Sequence, residues 1–454
     1  MPFVQPIPEM FENQKATVQY GMAHDVFYDA SDPGTGKTRS ALELTSYRQK
    51  HGAKKALVFA PKSILMPSWI ADLRKFTPHL TWVVAEARNR KKAFEQDVDV
   101  YVTNTDAAKW IESNVDLTEF DILIMDEVTA YKHRTSARSK AMLKIAKKFK
   151  YRTAMSGTPN PNGVLDLWHQ YLMLDEGAHL GTNFWQFRNK VCEPTQTGPG
   201  PAMVKWDDRP GAAEAVADIV SDITIRHRLE DCTSIPEHST STLCFDLSTK
   251  HAALYAEMKR EMKLLLTNSD TPIGAVHKGA LRTKLLQMAS GAVYNVANEP
   301  ELISTDRYNL VLDMAEARES TLVAFNWVHQ RDNLLLAARK RNLKFGLIDG
   351  TVKNDDRAKA VKQFQDGTID YIFAHPMSAA HGLTLTRGTT TIWPGPIDDA
   401  ERFQQFNRRI YRAGQKRKTE TIMVAANNTL DAGCYDHLLG KVDSMVDLLE
   451  ILES

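Results

Sequence analysis

The chain has 454 residues, enough at about 150 residues per domain for two or three domains, each able to bury an ordinary core. It is 43% hydrophobic and 25% charged, which excludes a disordered polymer, and no apolar run approaches the ~18 residues of a membrane span. Its 57 Lys and Arg nearly cancel its 56 Asp and Glu, so a net charge of +1 announces no polyelectrolyte partner and any such partner must be sought locally.

The N-terminus, MPFVQPIPEMFENQ, has neither the basic region nor the apolar core of a secretory signal, and retention in the cell is expected. Short β-branched or aromatic runs then alternate with helical stretches: DVFYDA (25–30), ALVFA (56–60), DVYVT (99–103), DILIMD (121–126) and TAMSG (153–157). Such alternation predicts a parallel α/β unit. Between about 160 and 320 it lapses, and QYLMLDEGAHL, HAALYAEMKREMKLLL and ALRTKLLQMASGAVY read as helices. The stretch EPTQTGPGPAMVKWDDRPG (193–211) is rich in Gly and Pro and reads as a surface loop. Strand-like runs resume with TLVAFNW (321–327), FGLIDG (345–350), DYIFAH (370–375), TIW (391–393) and TIMVAA (421–426), a second α/β unit. The C-terminal HLLGKVDSMVDLLEILES reads as one docked helix. Four scattered cysteines show no C-x-x-C spacing and read as small buried hydrophobes.

Three places carry chemistry. Ala30-Ser31-Asp32-Pro33-Gly34-Thr35-Gly36-Lys37-Thr38 lies between a strand and a helix. Its glycines let backbone amides curl around phosphate, Lys37 reaches the terminal phosphates and Thr38 can ligate magnesium. Ser31 occupies the place of the first glycine in the strict phosphate-loop pattern, so a chance glycine turn is the competing reading. The strand ending at Asp126-Glu127 offers one carboxylate for hydrated magnesium and one to polarise attacking water. Alone, this pair also fits a cap for the next helix. Near the other end, Arg409 and Arg412 stand three apart on a predicted helix, on one face, where they could enter a phosphate site together; a solvated basic face is the alternative. A loop without an arginine in one unit and arginines without a loop in the other imply a cleft closed by ATP.

The order of these motifs resembles the superfamily-two helicases of the switch/sucrose-nonfermentable (SWI/SNF) type, over about residues 11 to 440. Gln14 looks like the adenine-reading glutamine, an exposed N-terminal Gln being the other reading. LVFAPKSILMPSWIADLRKF (57–76), VTNTDAA (102–108) and SGTPNPNGVLDLWHQYLML (156–174) resemble motifs Ia, Ib and III. ITIRHRLEDCTSIPEHSTSTLCFDLSTKHAALYAEM (223–258) resembles the bridge between lobes, and TLVAFNWVHQRDNL (321–334) motif IV. SAAHGLTLTRGTTTIW (378–393) and QFNRRIYRAGQKR (405–417) resemble motifs V and VI. Where the family continues Asp-Glu-Ala-His this chain has Asp126-Glu127-Val128-Thr129, so coupling of ATP to DNA would run through Thr129 and motif III.

The resemblance implies an α/β fold of two RecA-like P-loop lobes with parallel sheets and helical insertions. Lobe 1 spans 1–238 with an insertion at about 160–220; lobe 2 spans 239–454 with an insertion at about 248–300. It implies a DNA-dependent ATPase that uses ATP and Mg2+ to track duplex or branched DNA without sequence preference. Strand separation or annealing is the alternative; an RNA helicase or a DNA-binding scaffold is further off. Lys37, Asp126, Glu127, Arg409 and Arg412 would be catalytic, with Thr38 and Asp126 on the metal. Gln14, Gly34, Thr35, Gly36, Lys37, Thr38, Gly382 and Gln405 would hold the nucleotide. Lys62, Ser63, Asn104, Thr105, Ser378 and Thr384 would follow the DNA backbone. Two basic stretches agree: residues 131–152 hold nine Lys/Arg and 402–418 hold seven, neither with an acid. A monomer in the cytoplasm of a bacterium or phage-infected cell, with no membrane partner, completes the expectation.

Overall fold

A computed structural model describes residues 7–196, 204–232, 234–267, 275–295, 297–379 and 383–451. The chain forms two compact units, the first drawn mainly from residues up to Ser234 and the second mainly from Ile235–Val442. No helix among the described residues is long and apolar enough to cross a membrane.

The first unit is built on β1 (Val26–Asp29), β2 (Lys55–Ala60), β3 (Trp82–Ala85), β4 (Val100–Asn104), β5 (Phe120–Asp126), β6 (Tyr151–Met155) and, after a two-stranded sheet of β7 (Cys192–Gln196) and β8 (Val204–Asp208), β9 (Thr224–Ile225). The seven-stranded sheet has the order β3-β4-β2-β5-β6-β1-β9 and every pairing is parallel. Its central strands are apolar on both faces, as a parallel sheet covered on both sides requires. Leu57, Phe59, Leu123 and Met125 enter one core cluster, and Ala56, Val58, Ile122 and Ile124 the other. Register fixes the functional edge: Asn104 pairs with Ala60, Phe59 with Met125, Asp126 with Met155, and Met155 with Asp29. The carboxyl ends of five strands therefore stand in one row, where open α/β sheets bind ligands.

The second unit carries β10 (His238–Phe245), a small antiparallel pair of β11 (Ala292–Tyr294) and β12 (Pro300–Leu302), and β13 (Thr321–Ala324), β14 (Phe345–Ile348), β15 (Tyr371–Ala374), β16 (Thr390–Trp393) and β17 (Thr419–Ala426). Its six-stranded sheet, β10-β17-β16-β13-β15-β14, is also wholly parallel. The expected boundary at 238/239 falls at the first residue of β10, where His238 pairs with Thr419. Beneath this sheet Arg307 is buried, donating to Asp431 at 2.5 Å and to the carbonyls of Ala289, Pro394 and Val424. Burial is tolerable because the charge is paired and both Nη groups donate, although Nε finds no acceptor among the described residues.

Helices occupy Leu165–Asp175, Thr249–Thr267 and Ala275–Ala289 where the periodicity predicts helix, but the first ends at Asp175, Glu176 turning left-handed, so its predicted last residues 176–180 are turn. Two further readings change. The third of these helices stops at Ala289 and its last predicted residues form β11, since Gly291 turns the chain at φ 101°. The loop predicted over 193–211 contains β7 and β8, whose residues Val204 and Trp206 are half-buried on alternate positions. The four cysteines are free, and Cys192 and Cys434 are buried as expected, but Cys232 is only half-buried and Cys244, on edge strand β10, is exposed.

Candidate functional site

The loop after β1 opens into helix α2 (Lys37–Lys50) through Gly36, which caps it at φ 88°; Gly34 has φ 97°. Only glycine takes these angles without strain, and the first amides of α2 face the loop. Lys37 Nζ donates to the carbonyls of Ser31 and, at 3.1 Å, Asp32. An ammonium held only by the carbonyls of its own loop is placed to exchange them for phosphate oxygens. Thr35 braces the loop by donating to the Asp32 carbonyl at 2.8 Å.

Gln14 lies on helix α1 (Glu12–Ala23), which begins at Phe11. Its amide is buried, accepts the Phe11 N–H at 3.0 Å, and lies where a Cβ on Gly36 would meet Nε2 at 2.0 Å. Beside it, Asn13 donates to the Thr35 carbonyl at 2.9 Å. Gln14 is thus buried at the phosphate loop, not exposed.

A second support was not foreseen. Residues 225–229 run beside the loop: Ala30 and Asp32 donate N–H to the carbonyls of Ile225 and His227. Ser31 Oγ accepts the His227 N–H at 3.0 Å, while Asp32 accepts the Leu229 N–H at 3.2 Å and faces Arg226 at 3.6 Å. A serine replaces the first glycine of the loop because its hydroxyl is used there. The contact spans almost 200 residues and leaves no local signal.

At the end of β5, Asp126 accepts the Trp69 indole N–H at 2.8 Å. Burial first, and the adjacent Glu127 charge second, push its carboxyl up to about 6, against the pull of Trp69 and Lys37. Such a carboxylate is relieved by a cation, and with the Thr38 hydroxyl it gives the hard oxygen donors that magnesium prefers. One element addresses both residues: on the π-helical turn Leu65–Ile70, Trp69 holds Asp126 and Ser68 Oγ is 3.4 Å from Thr38 Oγ1. Trp69 was legible only as a motif match; its hydrogen bond was not.

Glu127 adopts a left-handed backbone, φ 54°, ψ 57°, which turns its carboxylate away from the line of β5. Its Oε1 accepts from Ser156 Oγ at 2.7 Å and Thr129 Oγ1 at 3.3 Å, and Ser156 Oγ in turn accepts the Thr158 N–H at 3.1 Å. The residue standing where the family has histidine and the first residue of the motif-III-like stretch thus meet on one carboxylate.

In the second unit the predicted helix ends early. It covers Ala400–Asn407, so Arg409 and Arg412 lie in the following turns and not on a helical face. Asn407, whose Oδ1 accepts the Trp393 indole N–H at 3.0 Å, is the last helical residue. The arginines nevertheless converge: Arg409 Nη1 and Arg412 Nη1 both donate to the Leu383 carbonyl, at 3.2 and 3.0 Å. Gln405 anchors Arg409 through its backbone carbonyl (2.7 Å), while its amide donates to Glu401 at 3.2 Å. Ser378 lies on the helical turn Pro376–Ala379 after β15, and Thr384 is exposed beside Leu383. Gly382 lies outside the described residues.

Lys62 and Ser63 lie in a 3-10 turn after β2, Asn104 ends β4 and Thr105 opens the 3-10 turn after it, at neighbouring strands of the functional edge. Lys62 is 73% exposed, with Glu86 4.0 Å away; Asn104 Oδ1 accepts from Arg90 at 3.1 Å. Thr105 is buried and its carbonyl accepts the Tyr131 hydroxyl. The basic stretches are less bare than their local composition suggests. Arg138, Lys144 and Arg152 pair with Asp106, Glu112 and Glu176 at 2.6, 3.1 and 2.9 Å, and Arg402 and Lys418 with Asp399 and Glu237 at 3.1 and 2.9 Å. Most of these acids are distant in sequence.

The chain is similar to known proteins over most of its length. The SNF2-related domain matches residues 30–291, and the helicase conserved C-terminal domain matches residues 306–414. Protein p41 of Acyrthosiphon pisum secondary endosymbiont phage 1 is 29% identical over 88% of this chain and 88% of its own length. The DNA annealing helicase and endonuclease ZRANB3 of Bos taurus is 24% identical over 88% of this chain, which spans 37% of that protein. The Sulfolobus solfataricus SWI2/SNF2 ATPase core in complex with double-stranded DNA is 20% identical, with a TM-score of 0.45, covering 100% of this chain and 97% of that one.

Proposed function

The chain belongs to the SNF2-related family of ATP-dependent DNA helicases and translocases, and from that premise we propose that it couples ATP hydrolysis to movement along duplex or branched DNA, without sequence preference. The observation that carries the reading is the carboxylate of Glu127, one residue beyond Asp126 on the functional edge and oriented by Ser156 and Thr129. A kinase, which passes phosphate to a separate acceptor, needs no such second carboxylate; hydrolysis needs one to position water.

Lys37 and the loop amides bind the phosphates, with Gln14 beside them for the base. Thr38 and Asp126 are the residues that would hold Mg2+, which when bound neutralises charge on the phosphate oxygens. Trp69 keeps the Asp126 carboxylate in place. Glu127 accepts a proton from the attacking water, and the Ser156 hydroxyl fixes the oxygen that does so. Arg409 and Arg412 stabilise charge developing on the transferred phosphate, leaving the Leu383 carbonyl to do so. Leu383 adjoins Thr384, so the same exchange reaches a residue assigned to the DNA backbone. Lys62, Ser63, Asn104 and Ser378 complete that track, and Thr105 braces it. The protein works as a monomer in the cytoplasm of a bacterial or phage-infected cell.

The test is ATP turnover with no nucleic acid, single-stranded, duplex and forked DNA, and RNA, in the native protein and in Glu127→Gln. Duplex and forked DNA stimulate the native protein and RNA does not. Glu127→Gln lowers turnover by about a thousand-fold while DNA affinity stays within a few-fold. DNA-stimulated turnover persisting in Glu127→Gln overturns the assignment.

A further inference from the structure

Beyond the nucleotide site the first unit carries a set of aromatic rings and guanidinium groups that the reaction does not use. Arg134 lies over the rings of Phe184 and Trp185, at 4.3 and 4.8 Å from their centroids. Arg188 lies over Trp185 and Trp206, at 4.6 and 3.5 Å. The turn at Arg134, helix Phe184–Val191 and strand β8 therefore bring together an alternating series, Arg134, Trp185, Arg188, Trp206. It is anchored on the helix after the motif-III-like stretch, where Trp168 meets Phe184 edge to face at 5.4 Å.

Three features separate this series from ordinary surface packing. Trp185 is 53% exposed, although indole is among the most costly side chains to leave in water. Neither Arg134 nor Arg188 forms an ion pair with any carboxylate among the described residues, and Arg188 Nε, though enclosed, has no hydrogen-bond partner. The two acids of β8 are engaged elsewhere: Asp207 pairs with Lys205 at 2.5 Å, and Asp208 accepts the Val164 N–H at 2.9 Å. Exposed Lys190, on the same helix as Arg188, adds a further positive charge.

We propose that this series is a second nucleic-acid site, and that it takes an unpaired strand. The inference rests on the reading that the chain acts on DNA and deepens it by naming the substrate form. Stacked guanidinium groups keep their N–H donors in the ring plane, free for phosphate, while the exposed indole offers a face to a base. Duplex DNA satisfies the charges but keeps its base faces inside the stack, so the indole would have no partner. A strand freed at a fork or gap satisfies both. An acidic peptide would match the charges alone.

The experiment uses the full chain with two probes, a fluorescent thymidine oligonucleotide of about twenty nucleotides and a duplex of equal length. Affinity is read by anisotropy, and duplex-stimulated ATP turnover is followed in parallel. Trp185→Ala and Arg188→Gln are each expected to weaken oligonucleotide binding about ten-fold, while Trp185→Phe stays near the native value. Duplex affinity and duplex-stimulated turnover stay within two-fold in all three. The proposal is overturned if oligonucleotide affinity is unchanged in both truncating variants, if oligonucleotide and duplex affinities fall by the same factor, or if poly-glutamate displaces the oligonucleotide as well as unlabelled oligonucleotide does. A native protein whose turnover no DNA stimulates would instead sink the translocase reading, whatever the oligonucleotide binding shows.

Discussion

In the first unit Lys37 rests on the carbonyls of its own loop, and in the second Arg409 and Arg412 rest together on the carbonyl of Leu383. Both arrangements park cations on backbone oxygens, yet they are specified differently. The lysine loop is written into the backbone, because Gly34 and Gly36 take angles that side chains resist and a helix must start at Lys37. In the arginine turn the one left-handed glycine, Gly414, comes after both arginines; their placement is set by where a helix stops and by side chains such as Asn407. A site encoded in backbone conformation is rigid before its ligand arrives. One encoded in side-chain reach can move as a unit with its turn.

The comparison breaks most sharply at the arginines. Arg412→Ala is expected to bind ATP with near-native affinity and to hydrolyse it about a thousand-fold more slowly, whereas Lys37→Ala loses binding as well. Equilibrium binding of a fluorescent ATP analogue beside turnover separates the two, and equal loss of affinity in both would erase the distinction. Next in size is the buried Arg307–Asp431 pair of the second unit. Arg307→Met leaves Asp431 buried without its charge partner and costs about 3–5 kcal/mol, confined by hydrogen exchange to the second unit.

Acid separates the units by less. Burial holds His238 and His329 of the second unit down at about 4, and His169 of the first unit as low. A histidine depressed from 6.5 to about 4 contributes stability that is whole above 6.5 and lost as pH falls toward 4. At pH 5 the loss is about 2 kcal/mol for each. The second unit should therefore lose amide protection first between pH 6.5 and 4.5; simultaneous loss would mean that other groups govern acid unfolding. The smallest effect expected is that of Trp69→Phe, which keeps a ring but removes the hydrogen bond to Asp126. Turnover falls about ten-fold and half-maximal Mg2+ rises, with the circular dichroism unchanged.

Legibility in the sequence follows the same division. Strands buried on both faces, the glycine loop and the two carboxylates were readable because local composition determines them. The convergence of Arg409 and Arg412 was also foreseen, but for a helical reason that does not hold, since Asn407 ends the helix before either residue. The docking of residues 225–229 on the phosphate loop, the indole on Asp126 and the acids facing the basic stretches were not readable. Nearly all join positions far apart in the chain, and no periodicity reports them. The strands β7 and β8 were hidden by the Gly and Pro content of the segment that contains them.

The left-handed conformation of Glu127 has a consequence for how such a chain would drift. A non-glycine residue held there costs the fold about 1–3 kcal/mol, and at Glu127 it is turnover that requires the glutamate. Released from that requirement, a descendant serving only as a DNA-bound scaffold would gain stability by exchanging this glutamate for glycine or asparagine. The loop glycines and Lys37 put no comparable strain on the fold and would persist. A lineage that keeps the phosphate loop but has glycine at 127 would then mark an ancestor that hydrolysed ATP and a protein that no longer does.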